Sequence, residues 1–138
     1  MKSSLGKINS VSILWILIRA ACVVTVIKIG YQLPFPTFKK CFDWLAKTAK
    51  VKHYSQACIQ QTVWAINAVS YRLPFEVVCL PRALALKYLL RQDPRLHLKI
   101  GVSLHAGFAA HAWVELHEQV IIGDTPESYQ SLWTWTPQ

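Results

Sequence analysis

A thiol, an imidazole and a carboxylate follow one another along the chain at Cys79, His111 and Asp124. A proline stands two residues after the thiol, at Pro81, and proline favours the first turn of a helix. Cys79 would then lie at a helix N-terminus, where the positive end of the helix dipole favours an anion such as a thiolate. A cysteine nucleophile needs a base that exchanges a proton and an acid that orients the base. The three residues therefore predict a Cys-His-Asp triad.

Strand pairing gives a reason to place His111 beside Asp124. If the chain turns at residues 117–118 and keeps one register, Val114 faces Ile121 and His111 faces Asp124. Directly opposed residues share a face of the sheet, with Cβ atoms about 5 Å apart. The carboxylate could then accept a hydrogen bond from one imidazole nitrogen and leave the other for the thiol. His-Glu is not a favoured pair for a two-residue turn, and a three-residue loop would break the register.

Two further residues on the same strand are candidates for binding a substrate. Glu115 shares the face of His111 but lies about 13 Å along the strand, too far to orient the imidazole ring. We expect Glu115 and Trp113 to line a substrate cleft, with a packing role in the core as the alternative for Trp113.

Metal-ligand spacing is absent from the histidines and the cysteines. Steps of six residues would separate the imidazoles of His105, His111 and His117 by about 20 Å in extended chain, which excludes a shared metal ion. The cysteines form no CxxC or CxxxC pair; they stand at Cys22, Cys41, Cys58 and Cys79. An even number of cysteines would allow two disulfides, but free thiols in a reducing cytoplasm are the prediction. We expect no metal and no cofactor.

The net charge of +8 belongs to the N-terminal third of the chain. Residues 1–52 hold nine Lys and Arg against Asp43 alone, whereas residues 53–138 hold six charges of each sign. A basic segment suits an acidic peptide, a partner protein or an anionic membrane surface. No zinc-finger spacing and no RNA-binding signature accompany it, so nucleic acid is not an expected partner.

The apolar stretch from Val11 to Ile29 predicts a long helix. Arg19 and Lys28 interrupt it, which leaves no charge-free run of the about 18 residues that a spanning helix needs. The context of a signal-peptide cleavage site is also poor. We expect the rest of the protein or a partner to wrap this helix, with a helix on a membrane surface as the alternative. The predicted location is cytoplasmic, with membrane association as that alternative.

Helical patterns occupy the first part of the chain and strand patterns the second. Thr37 is the expected N-cap of a second helix, in which Asp43 and Lys47 would form an i,i+4 ion pair. Ser55 is the expected N-cap of a third helix. After the helix that begins at Cys79, strand patterns cover residues 97–104, 108–116, 119–122 and 128–135. This order predicts one α+β domain over 1–138, with a helical basic part (1–70) before a catalytic helix and an antiparallel sheet (71–138).

The sequence around the candidate triad resembles a known family. The motifs that carry the resemblance are Cys79-Leu80-Pro81, Ala83, Ala85-Leu86, Leu89-Leu90-Arg91, Ile100-Gly101-Val102, Ala110-His111-Ala112-Trp113-Val114-Glu115 and Gly123-Asp124. They are similar to those of the transglutaminase-like cysteine peptidases of lasso peptide biosynthesis. These are the B2 proteins, which are similar to the C-terminal domain of the microcin-processing protein. The match is specific from Tyr71 to Asp124 and looser over residues 8–70.

The resemblance implies a transglutaminase-like, papain-like cysteine peptidase core and a leader peptidase activity. The catalytic residues of the family fall on Cys79, His111 and Asp124. Such an enzyme removes the leader from a ribosomally made lasso precursor, and a partner cyclase that uses ATP then closes the ring. The chain is too short for a leader-recognition domain beside the peptidase. A separate leader-binding B1 protein is therefore implied, and the basic N-terminal third is its expected docking surface.

Two other functions remain open on the residues alone. The same triad could transfer the acyl group to an amine instead of water. The protein could also be a non-enzymatic, membrane-associated adaptor in which the first helix is the functional part.

Overall fold

A computed structural model describes residues 10–103, 108–123 and 130–135. In this part of the chain four helices precede a four-stranded sheet, as predicted. The helices and strands are α1 (Ser10–Gly30), α2 (Phe35–Ala46), α3 (Gln56–Ser70), α4 (Cys79–Leu89), β1 (Leu96–Ser103), β2 (Ala109–Leu116), β3 (Gln119–Ile122) and β4 (Gln130–Trp135). The α+β fold class is confirmed.

Of the two predicted N-caps, Ser55 is confirmed and Thr37 is wrong. Ser55 caps α3, because its side-chain oxygen accepts a hydrogen bond from the backbone N–H of Cys58 at 3.2 Å. Thr37 is not the N-cap of α2, since the helix begins two residues earlier, at Phe35. Pro36 lies in its first turn, where a fixed φ and a missing N–H suit a helix start.

Asp43 forms different contacts from those predicted. Helix α2 ends at Ala46, and Lys47 adopts an extended conformation, so the expected Asp43–Lys47 pair does not form. The carboxylate instead accepts a hydrogen bond from Nζ of Lys39 at 2.5 Å and one from the indole N–H of Trp135 at 2.7 Å. Asp43 is buried, and it links α2 to the end of β4.

The sheet is antiparallel throughout, in the order β3-β2-β1-β4. Its β2–β3 hairpin turns at His117 and Glu118, as predicted. Both residues have positive φ, 50° and 64°, which a two-residue type I′ turn requires. Strand β4 returns to pair with β1, so β1 and β2 form the centre of the sheet.

The predicted single register of the hairpin is wrong. Leu116 pairs with Gln119 as expected, but Val114 pairs with Ile122 and not with Ile121. A β-bulge between Val114 and Glu115 inserts one extra residue on β3, which shifts the pairing that follows by one position. The count that placed Asp124 opposite His111 therefore no longer holds, and Asp124 itself lies outside the described residues.

Helix α4 forms the centre of the core. It packs between the other helices on one side and the sheet on the other, and Ala83, Leu84, Ala85 and Leu86 are fully buried. Leu96 and Leu98 of β1 and Val114 of β2 form the face of the sheet that joins this core. The fold thus places the helix of the candidate nucleophile in its most enclosed layer.

Helix α1 is covered on one side only. Its buried residues are Ala20, Val24 and Ile27, and it packs on α3 and α4. The helix is long and apolar enough to cross a membrane, with a mean hydropathy of 2.3 over an 18-residue window of which 17% is buried. Core helices of soluble proteins and signal sequences share this length and composition. The rest of the described chain does not wrap α1, so that part of the expectation is wrong, and coverage by a partner stays a prediction.

Candidate active site

Cys79 is the first residue of α4, as the sequence predicted. The preceding residue, Val78, is extended (φ −76°, ψ −180°) and has no side-chain oxygen that could cap the helix. Pro81 is fully buried in the first turn and has no N–H. The thiol is partly exposed and packs against the edge of the core. A helix start of this kind leaves the backbone N–H groups of Cys79 and Leu80 available to an incoming oxygen atom.

The other end of α4 is tied to the first residue of β1. Lys87 is 8% exposed, and its Nζ donates a buried hydrogen bond of 2.6 Å to the carbonyl oxygen of Leu96. Burial lowers the pKa of Lys87, and the negative charge of Asp93 partly offsets that effect. Because Leu96 pairs with Leu116, the C-terminal end of α4 is held beside the last residue of β2.

Asp93 stabilises the connection between α4 and β1. The carboxylate is completely buried, and it accepts hydrogen bonds from Nη2 of Arg95 at 2.6 Å and from the backbone N–H of Tyr54 at 3.0 Å. The hydrogen bonds from Arg95 are the main cause that lowers the pKa of Asp93 to about 2, against the opposing effect of burial. The cluster therefore joins the start of β1 to the segment before α3.

His111 lies near the start of β2 and is partly exposed, with its Nε2 atom buried. Its ring stacks on Trp113, with ring centroids 6.1 Å apart and planes at 20°. Gly101 of β1 is its cross-strand partner. A Cβ atom on Gly101 would come within 2.6 Å of Cη2 of Trp113 and 2.5 Å of a backbone carbonyl of β4. The absence of a side chain at Gly101 therefore lets the indole ring lie across β1 and support the imidazole.

A chain of polar contacts continues from Trp113 along the same face. Its indole N–H donates to Oε1 of Glu115 at 2.7 Å, and Nζ of Lys99 lies 2.6 Å from Oε2 of the same carboxylate. Burial alone would raise the pKa of Glu115, but the hydrogen bonds from Lys99 and Trp113 outweigh it and lower the pKa. Glu115 thus contacts Trp113 and Lys99, while Trp113 contacts His111. Trp113 is only 4% exposed, and its contacts with His111 and Glu115 lie within the protein; substrate binding by Trp113 and Glu115 stays a prediction.

The structure brings together the helix and the strand that carry the first two triad residues. Helix α4 packs on β2, against the face of Ala112 and Val114. His111 belongs to the opposite, odd-numbered face, which it shares with Trp113, and lies near the start of the strand. The contact between the thiol and the imidazole stays a prediction, and so does the role of Asp124, which lies outside the described residues.

Sequence reasoning missed the residues that support His111. Gly101 carried a usable signal, because a glycine inside a strand marks a close approach of another group. Lys99 carried no such signal. Its ion pair is with Glu115, which lies diagonally across the β1–β2 pair and not directly opposite. All four cysteines are free thiols, in agreement with the prediction. Among the described residues no cluster of His, Cys, Asp or Glu could hold a metal ion.

The family model of the Transglutaminase-like superfamily matches residues 25–134, which include α2, α3, α4, the first three strands and β4 up to its last residue but one. The chain belongs to the transglutaminase-like superfamily. This superfamily includes cysteine peptidases and acyltransferases, and its members are typically cysteine-based enzymes. No curated protein and no solved structure matches the chain. The matched range contains all three residues of the predicted triad.

Proposed function

We propose that this transglutaminase-like protein is a cysteine peptidase that removes the leader from a lasso peptide precursor. The observation that carries the proposal is the position of Cys79 at the first residue of α4, in a superfamily whose members are typically cysteine-based enzymes. Helix α4 also packs on β2, the strand that carries His111, through the face of Ala112 and Val114. The motifs shared with the lasso peptidases favour a peptide bond at a leader–core junction as the target.

The reaction proceeds through a thioester. The Cys79 thiolate attacks the scissile carbonyl carbon and forms a C–S bond, and the carbonyl oxygen becomes an oxyanion. As the oxyanion collapses, the C–N bond breaks and the His111 imidazolium gives its proton to the departing amine. His111 then takes a proton from water, which attacks the thioester and releases the acid and the thiolate. Asp124 would hold the His111 tautomer and ring plane.

The first turn of α4 can stabilise the oxyanion. Backbone N–H groups at a helix start point out of the helix and lie at the positive end of its dipole. The N–H of Cys79 is the nearest such donor to its own sulfur atom. Preorganised donors of this kind stabilise a transition state strongly, because they need no reorganisation during the reaction.

A cavity beside the loop that leads to Cys79 is the proposed site for residues next to the cut. It has a volume of about 610 Å³, and Tyr71, Phe75 and Arg82 contribute to its wall. Arg82 stands one turn after the nucleophile, donates a hydrogen bond to the side-chain oxygen of Asn67 and lies over the Tyr71 ring at 5.8 Å. The guanidinium can offer its further N–H groups to a peptide carbonyl or carboxylate.

The proposed partners follow from the same reaction. The peptidase acts with a separate leader-binding B1 protein, which presents the precursor, and it passes the freed core peptide to the lasso cyclase. ATP is consumed by the cyclase, and the peptidase itself needs no cofactor for the steps above. Association with the B1 protein keeps the leader close and raises its effective concentration at Cys79.

The direct experiment is cleavage of a lasso precursor by the purified chain in the presence of the leader-binding protein, followed by mass spectrometry. We expect a free leader and a free core peptide, and loss of both products in Cys79→Ala and His111→Ala. Cys22→Ala is the matched control, because that thiol is exposed on α1 and belongs neither to the candidate triad nor to the cavity beside it. Undiminished cleavage by Cys79→Ala would overturn the proposal. A leader joined to an added amine, with no free acid, would identify acyl transfer instead, an activity that the superfamily also contains.

A further inference from the structure

The outer side of α1 presents a continuous apolar surface, which we call the α1 face. It consists of the exposed thiol of Cys22 and of six larger side chains that are each between 45% and 77% exposed: Val11, Leu14, Trp15, Ile18, Val26 and Ile29. They recur at steps of three and four residues and form one stripe along the helix. The stripe runs about 27 Å from Val11 to Ile29. It lies opposite Ala20, Val24 and Ile27, which pack into the core.

Apolar grooves continue the α1 face on both sides. The groove between α1 and α3 has a volume of about 520 Å³, and Trp64, which is 53% exposed, contributes to its wall. The groove between α1 and α2 has a volume of about 240 Å³ and is lined by Val26 and Leu45 among others. Side chains of α1, α2 and α3 therefore share one broad apolar surface.

The exposed charges around this surface are positive. Asp43 is the only acidic residue between positions 10 and 75, and it is buried against Lys39 and Trp135. Arg19 is exposed beside the stripe, and Lys28 is partly exposed on its other side. The described helical layer before Glu76 therefore offers cations and apolar side chains to its surroundings, and no exposed carboxylate.

We propose that the α1 face lies on an anionic lipid bilayer, with α1 parallel to the membrane plane. Leu, Ile and Val side chains enter the acyl boundary, and indole rings such as that of Trp15 favour the interface. Arg19 and Lys28 reach the headgroups by extending their side chains. The opposite side of α1 is built into the core with Ala20 and Val24 fully buried, and an in-plane arrangement keeps the packing of α1 on α3 and α4 intact.

Lipid fits this surface better than a protein partner does. The stripe contains almost no hydrogen-bonding groups, whereas a specific protein interface carries roughly one hydrogen bond per 100–200 Å². Its cations lie at the rim, where anionic headgroups would lie. This inference does not depend on the peptidase proposal, because none of its residues belongs to the candidate triad.

The experiment is flotation of the full-length Cys79→Ala chain with vesicles of two compositions. One set contains phosphatidylcholine alone, and the other contains equal parts of phosphatidylcholine and phosphatidylglycerol. We expect flotation with the anionic vesicles, and a drop in the partition coefficient of roughly fivefold for each charge removed in Arg19→Gln and Lys28→Gln. No binding to anionic vesicles, or equal binding to both sets, would overturn the inference.

A matched pair of variants tests the surface itself. The first replaces Val11, Trp15 and Ile18 with serine, and we expect its partition coefficient to fall about tenfold or more. The control replaces three residues of similar exposure outside this face, Val51, Phe108 and Leu132, and we expect it to float like the parent. Circular dichroism checks that both variants keep the helical content of the parent. Equal loss in both variants, or in neither, contradicts the proposal.

Cys22 provides a measurement on the unmodified chain, where no variant can misfold. Its thiol is exposed, so it should react with a charged maleimide in solution and become protected on anionic vesicles. Undiminished labelling of vesicle-bound protein would show that the α1 face does not touch the lipid. Membrane association that appears only after the leader-binding B1 protein is added, or that resists carbonate extraction as a spanning helix does, would also overturn the in-plane arrangement.

Discussion

Replacement of Asp93 by asparagine should destabilise the protein at neutral pH and have little effect in strong acid. The carboxylate is fully buried and accepts hydrogen bonds from Arg95 and from the backbone N–H of Tyr54. These contacts lower its pKa from 3.8 to about 2. A shift of nearly two units corresponds to about 2 kcal/mol of folding free energy, and less to the extent that water screens the ion pair.

The direction of the pH dependence follows from the sign of the shift. A carboxyl group whose pKa is lower in the folded state stabilises the fold fully above its unfolded pKa near 3.8. This contribution is lost as the pH falls through about 2. The difference in unfolding free energy between the parent and Asp93→Asn should therefore be constant from neutral pH to about 5 and then shrink toward zero.

Urea unfolding followed by circular dichroism, at several values between pH 7 and pH 2, measures this difference. Glu76→Gln is the matched control, because Glu76 is exposed and its replacement should change stability by less than about 0.5 kcal/mol. A difference below about 0.5 kcal/mol at neutral pH for Asp93→Asn, or one that does not change with pH, would refute the account of the cluster.

Three further substitutions test the hairpin, the support of the imidazole and the cavity. Replacing His117-Glu118 with Asn-Gly should stabilise the fold by about 1 kcal/mol or more in thermal unfolding, because both residues now have positive φ; a loss of stability would contradict the type I′ turn. Gly101→Ala should cost about 1–3 kcal/mol and change the near-UV circular dichroism, since its Cβ would come within 2.6 Å of the Trp113 ring; an unchanged spectrum would contradict that contact. Arg82→Met should raise KM for precursor cleavage about tenfold with little change in kcat, and Arg82→Lys should restore part of the loss; an unchanged KM would remove Arg82 from substrate binding.

Local signals predicted much of the fold. Ser55 and Pro81 marked the starts of α3 and α4, because a cap and a first-turn proline act within one turn of the chain. Alternation predicted β3 with its observed bounds, Gln119–Ile122. The prediction of Thr37 as an N-cap was wrong. Thr37 and Pro36 are neighbours that favour different helix starts, and α2 begins where Pro36 lies in its first turn.

Features that depend on contacts between elements were harder to predict from the sequence. The bulge at Val114 and Glu115 has no glycine or proline to mark it, so a register counted from the turn missed it. The exposure of α1 was missed for a different reason. The composition of α1 does not show how many of its sides the other elements cover, and they cover one.

The sequence predicted which helix and which strand carry Cys79 and His111, but not the contacts that their side chains make. A thiol at the start of α4 and an imidazole on β2 follow from Pro81 and from strand alternation. The stacking of His111 on Trp113, and the open position at Gly101 that allows it, depend on how β1 and β2 pair and could not be read from spacing. Whether Asp124 completes the triad remains a prediction from resemblance.

The most direct test of the central claim needs no substrate. The rate of alkylation of each of the four free thiols by iodoacetamide at neutral pH can be followed by peptide mapping, in the parent chain and in His111→Ala. A nucleophile supported by a helix start and an imidazole should react about tenfold faster than the exposed thiol of Cys22, and lose that advantage in His111→Ala. If Cys79 reacts no faster than Cys22 in the parent chain, or equally fast with and without His111, then Cys79 and His111 do not form a catalytic pair.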